Sequence, residues 1–294
     1  MKSLAASTAL FLCLLSSLPG APGLAPTAEA RRAEETSAAD PVRAELVAEV
    51  RAIRPGEPFW VGVRLEMRDG WHVNWINPGD AGLAPEIAWT LPPGFSAGEI
   101  QWPYARRYEI SGLAIFGYDA ETVLACRVAP PPQLPPGSEI TIGARVTWLA
   151  CREACLPGEA ELSLTLPAAA PSDTAEFEPR WQKAIEISRR DVPLPLDGWR
   201  FSAKAAGDFF TIEAAPPNGE TAVLETAAFF PFLQGVVENS EPQTLTQDGD
   251  VYRLRVRRDR MSADKPERLS GVLFSPNGWG KEHRKAVSID VPID

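Results

Sequence analysis

Cys151 and Cys155 stand with three residues between them in Cys151-Arg152-Glu153-Ala154-Cys155, a spacing that admits three kinds of chemistry. Two thiols so placed can cycle between dithiol and disulfide, form a permanent bridge, or offer soft ligands to a metal ion. A disulfide needs its Cα atoms within roughly 7 Å, whereas four steps of extended chain span about 13 Å, so bonding requires a turn between them. So short a ring removes little chain entropy compared with a long loop, which weighs against a stability staple and for a redox pair. Arg152 favours a thiolate on its neighbour and Glu153 opposes it, so local charge does not say which sulfur attacks. His72 is the second candidate, because an imidazole titrating near neutrality can move protons during exchange. The chain's other histidine, His283, lies in the charge run Lys281 to Lys285 and reads as solvated.

These side chains need a scaffold, and the sequence around them is that of short strands. Ile140, Ile142, Ala144, Val146 and Trp148 alternate with more polar neighbours, and Leu162, Leu164 and Leu166 alternate again after Pro157-Gly158, a turn signal. The cysteines are therefore expected on a hairpin. Further strands read at Val42 to Val50, Phe59 to Met67, Glu86 to Leu91 and Thr122 to Val128, the count and spacing of an immunoglobulin-like β-sandwich. A stiff Pro167 to Ser172 linker follows, and Phe177, Trp181, Ile185 and Ser188 predict a helix over Thr174 to Arg190. The remainder returns to strands at Trp199 to Lys204, Asp208 to Ala214, Val223 to Thr226, Val251 to Arg258, Gly271 to Ser275 and Ala286 to Pro292. With 29 prolines and 22 glycines among 294 residues, the expected class is all-β: an immunoglobulin-like sandwich, a linker helix and a second β-rich sandwich domain.

The first residues bear on redox state. Met1-Lys2-Ser3, the apolar run Leu4 to Leu18 and Ala28-Glu29-Ala30 read as a secretory signal over residues 1–30, cleaved after Ala30 and carrying Cys13 away with it. Export places the remaining cysteines in an oxidising compartment, where three leave one unpaired. Cys126, on a strand face with Leu124 and Val128, is expected to be that inert, buried thiol. The net charge of -10 excludes nucleic acid and anionic lipid as natural partners, and no later stretch has membrane-spanning length.

Three segments carry a family resemblance: Asp69-Gly70-Trp71-His72-Val73-Asn74-Trp75-Ile76-Asn77-Pro78-Gly79-Asp80, then Ile100-Gln101-Trp102-Pro103, then Trp148-Leu149-Ala150-Cys151-Arg152-Glu153-Ala154-Cys155-Leu156-Pro157-Gly158-Glu159. Together they resemble the periplasmic N-terminal region of DsbD-like and ScsB-like thiol:disulfide interchange proteins, over most of residues 40–167. The three-residue gap between the cysteines follows the ScsB-like branch; the DsbD branch has five. The resemblance implies an immunoglobulin-like domain over 40–167; the helical stripe and strands after the linker are expected to form a helix plus second sandwich over 174–294. It also implies a thiol-disulfide exchange or protein-disulfide reductase role for Cys151 and Cys155 without a cofactor. Periplasmic thioredoxin-like proteins are the implied partners. A separate membrane electron donor would act in trans, since the transmembrane and thioredoxin-like parts of full-length relatives are absent here. An aromatic cap is expected over the cysteines in Ser111 to Tyr118, with Phe116 or Tyr118 as the shield. The same resemblance puts His72 on the segment lining the cysteines.

Two other functions fit the residues. Cys151, Cys155 and His72 could bind periplasmic copper, or the cysteines could form a static bridge in a non-catalytic adaptor.

Overall fold

The structure, a computed structural model, describes residues 40–170, 172–217, 223–260 and 266–294. Its first half runs β1 (Val42–Ala48), β2 (Phe59–Met67), β3 (His72–Gly79), β4 (Glu86–Thr90), β5 (Ser96–Ala97), β6 (Arg106–Ile110), β7 (Leu113–Asp119), β8 (Glu121–Ala129), β9 (Glu139–Cys151) and β10 (Cys155–Pro167). One sheet has the order β1-β2-β8-β5 and the other β10-β9-β3-β7-β6, with β4 also on β9. Period-2 alternation turns one row of each sheet inward. Leu46, Val61, Val63, Leu65 and Leu124 meet Val73, Trp75, Phe116, Ile142, Val146 and Trp148 in a single core.

The outer face of the first sheet is covered by α1 (Pro179–Arg190), whose Trp181, Ile185 and Ser188 lie buried against Val47, Val123 and Ala125. Pro179 suits the first turn, where its missing N–H costs nothing, and Arg189 and Arg190 suit the negative end of the helix dipole. The helix begins at Pro179 rather than Thr174. Phe177, expected on its apolar stripe, precedes it in extended chain, bridges to Val50 and is 43% exposed.

The second half contains β11 (Arg200–Ala206), β12 (Phe209–Ala215), β13 (Ala228–Pro231), β14 (Thr244–Asp248), β15 (Val251–Arg257), β16 (Arg268–Trp279) and β17 (Arg284–Pro292). They form sheets β11-β12-β15-β14 and β13-β16-β17 around Phe210, Ile212, Leu254, Leu269, Trp279 and Val287. Phe230, Val272 and Ala286 face the other way and complete the first core, with the Phe230 ring 4.7 Å from that of Phe116. The strand expected at Val223 to Thr226 is not formed; Val223 is 71% exposed, and the strand starts at Ala228.

A polar clasp reinforces this contact at Asn77-Pro78-Gly79-Asp80. Asn77 Nδ2 donates to Pro231 O (2.7 Å) and Leu233 O (3.1 Å), and Gln234 Nε2 donates to Gly79 O (3.1 Å). Asp80 accepts from Asn239 Nδ2 (3.0 Å), from the Ser240 hydroxyl and from the Ala114 amide (2.7 Å). Arg107 of β6 reaches Asn239 O (3.3 Å). The second half thus holds both the end of β3 and the β6–β7 hairpin.

Candidate functional site: a cysteine hairpin beside a buried histidine

β9 and β10 form a long hairpin, and its last register pair is Cys151↔Cys155. The required turn is Arg152-Glu153-Ala154, closed by Arg152 N donating to Ala154 O (3.1 Å). The cysteines are bonded, with Cα atoms 4.0 Å apart. Pro157-Gly158, read from the sequence as the turn, lies inside β10 opposite Leu149 and Trp148. Both residues have a reason to be there. β10 is an edge strand, where a proline's missing donor is tolerated, and the Trp148 ring lies where a side chain on residue 158 would go. The bond is asymmetric in access: Cys151 is 5% exposed, whereas Cys155 is exposed.

The turn is held from the side. Arg152 places its guanidinium 5.2 Å from the Trp71 ring, and Gly70, at φ 79°, leaves room for its aliphatic stem. Next to the hairpin, Leu83, Ala84, Leu149, Pro157 and Glu159 line an open groove of about 550 Å³.

On the other side of Cys151 stands His72, its direct register partner on β3, and His72 is in turn opposite Asp119 on β7. Side chains directly opposite one another in a sheet share a face, so Cys155, Cys151, His72 and Asp119 form one row across four strands. His72 is 4% exposed, and its Nε2 is buried without a hydrogen-bond partner among the described residues. Burial holds the imidazole below its usual range, and the charge of Asp119 pulls partly the other way. The Tyr108 ring stacks on His72 at 5.3 Å between centroids, and the Tyr108 hydroxyl is pushed up by burial and then by Asp119. Arg106 pairs with Asp119 at 3.2 Å.

The expected cap is corrected by strand parity. Ser111 to Tyr118 is not a loop over the cysteines but the turn and most of β7 in the β6–β7 hairpin. Phe116 and Tyr118 alternate with Gly117 and Asp119, so they point into the core while Asp119 shares the face of His72 and Cys151. Phe116 is 1% exposed and packs on Phe230, and Tyr118 is buried with its hydroxyl donating to Pro103 O (2.8 Å). The aromatic ring on the site's face is Tyr108. It reaches His72 diagonally across β7. Cys126 is free and buried, with its thiol pushed up to about 12 by burial. His283 is exposed.

Residues 38–167 match the family described as thiol:disulfide interchange protein DsbD, N-terminal. The crystal structure of the N-terminal periplasmic domain of ScsB from Proteus mirabilis is similar across 88% of this chain and 98% of that chain, at 19% identity and TM-score 0.62. The chain carries a DsbD/ScsB-like N-terminal domain. The coverage of the ScsB structure extends the likeness in fold through the second half. A protein of unknown function from Porphyromonas gingivalis W83 aligns over 87% of this chain and 100% of that chain, but at 12% identity and TM-score 0.26. Comparison with curated protein sequences gives no match. The Cys151–Cys155 disulfide sits within the matched segment, consistent with a thiol:disulfide interchange domain.

Two residues next to His72, Asp119 and Tyr108, were not legible from the sequence. Asp119 is one carboxylate among 39 acidic residues, and only the pairing of β3 with β7 puts it beside His72.

Proposed function

We propose that this chain is an exported thiol:disulfide interchange protein that passes reducing equivalents between periplasmic thioredoxin-like partners. It would take electrons from a separate membrane donor in trans. The observation that carries this reading is the asymmetric disulfide at the free end of a hairpin, with Cys155 exposed and Cys151 buried behind it. A partner thiolate reaches the Cys155 sulfur, and the Cys151 sulfur leaves. The groove beside Pro157 offers room for the chain around the partner's cysteine. On this reading residues 1–30, outside the described residues, are the cleaved signal. Residues 40–167 are the redox domain, and residues 174–294 are a helix and second β domain. No helix among the described residues is long and apolar enough to cross a membrane. Among them no group of three or more His, Cys, Asp or Glu is placed to share a metal ion in the oxidised arrangement.

Single-cysteine trapping tests the proposal. In a periplasmic extract, Cys151→Ser, which leaves Cys155 free, is expected to accumulate mixed disulfides with thioredoxin-like proteins, and Cys155→Ser far fewer. A reduction potential below about -300 mV with no trapped partner would instead mark a structural bridge.

A further inference from the structure

The row Cys151, His72, Asp119 has the order of a nucleophile, its base and the carboxylate that orients the base. We infer that His72 is the proton acceptor and donor for Cys151, with Asp119 as its positioning residue, so that the buried cysteine of the pair exchanges as a thiolate. The inference rests on the exchange function proposed above and names how its inner sulfur is activated.

Three observations support it. Register places the His72 side chain on the face of Cys151, with Asp119 next in line and Tyr108 stacked against the ring. His72 Nε2 is buried and unpartnered among the described residues while the cysteines are bonded, which is costly for a polar nitrogen. A disulfide sulfur has no proton to give, whereas a thiol on Cys151 would supply the missing donor. Burial also keeps the imidazole neutral, and hence able to accept a proton, in the oxidised protein. The charged or titratable groups facing it are Cys151 on β9, Asp119 on β7, and Tyr108 and Arg106 on β6. Arg152 is drawn off onto Trp71.

The chemistry balances in both directions. When the pair is reduced, a partner thiolate bonds to the Cys155 sulfur, the Cys151–Cys155 bond breaks, and Cys151 departs with the electron pair as a thiolate; the proton it then takes is the one lost by the partner's second thiol, relayed through neutral His72. The partner's second thiolate then attacks its own sulfur in the mixed bond, releasing Cys155. The partner ends as a disulfide and this pair as a dithiol. When the pair donates electrons, Cys155 as the thiolate first bonds to one sulfur of the acceptor's disulfide, whose S–S bond breaks and releases the other sulfur as a thiolate. Neutral His72 then takes the Cys151 proton as Cys151 attacks the Cys155 sulfur and expels the acceptor's thiolate.

Two measurements test it without any partner protein. In Cys155→Ser, ultraviolet thiolate absorbance reports Cys151, because Cys126 ionises only far above it. Cys151 is expected to be half-ionised below about pH 7.5, and adding His72→Asn is expected to return it to about 8.5 or higher. Adding Asp119→Asn should give a smaller rise. Equal midpoints with and without His72 would overturn the inference. The second measurement uses the unmutated protein, whose only two histidines are His72 and the exposed His283. Its proton NMR titration should show the His72 midpoint rising on reduction, and an unmoved His72 would overturn the relay. Coupled titration without trapped partners would keep the relay and remove the exchange function. Trapped partners without coupled titration would do the reverse.

Discussion

Asn77→Ala should loosen the second half of the molecule from the first. Asn77 is 1% exposed and makes three hydrogen bonds: two donated to Pro231 O and Leu233 O, and one accepted at Oδ1 from the Gly79 amide at 2.9 Å. Truncation strands all three partners, of which Pro231 and Gly79 are buried. At about 1–3 kcal/mol for each buried group left unsatisfied, the loss is roughly 2–6 kcal/mol. For a protein of this size that lowers the thermal midpoint by at least about 4 °C. Asn77→Asp sharpens the test, since it keeps the acceptor for Gly79 but turns an ionised oxygen toward two carbonyls. Burial and those carbonyls raise the introduced carboxyl above its ordinary range, so the defect should be large at pH 7 and shrink as acid restores one donor. Thermal unfolding at pH 7 and pH 5, with amide exchange over residues 229–240, reads both effects. A loss below about 1 kcal/mol for Asn77→Ala, or no pH dependence for Asn77→Asp, would refute the clasp as the tie between the halves.

Other outcomes follow from single contacts. In Gly158→Ala the new Cβ would lie 2.4 Å from Trp148 Nε1, so the buried indole must shift, at a cost of about 1–3 kcal/mol visible in tryptophan fluorescence and thermal unfolding. Cys126, its thiol pushed up to about 12, should resist alkylation at pH 8 in the native oxidised protein and label only on unfolding; rapid native labelling would contradict its burial. Reducing Cys151–Cys155 opens only a five-residue ring, so urea unfolding should show a loss of no more than roughly 2 kcal/mol, and a much larger loss would favour a structural staple.

Much of the scaffold was legible because residue types alternate along its strands. β1, β2, β8 and β9 alternate, and their expected ranges agree with the structure within a residue or two. β3 and β7 were missed for the opposite reason. β3 carries Asn74, Asn77 and the turn-like Pro78-Gly79, and β7 runs Ala114-Ile115-Phe116-Gly117-Tyr118 without a charged or strongly polar residue, so neither shows an alternation of residue types to be read. Losing β7 as a strand also misplaced the cap: with Ser111 to Tyr118 taken as a loop, nothing distinguished the core rings of Phe116 and Tyr118 from the site ring of Tyr108.

The sequence by itself determined that two thiols lie close, that a turn must separate them and that Cys126 is a core residue, because these follow from short chain separations and local periodicity. Only the tertiary structure decided which sulfur is exposed, that His72 rather than an aromatic cap adjoins Cys151, and that Asp119 stands behind it. Those neighbours come from strands about 80 and 30 residues away from the cysteines, and register between distant strands is fixed by the packing of the whole sandwich, not by any local pattern.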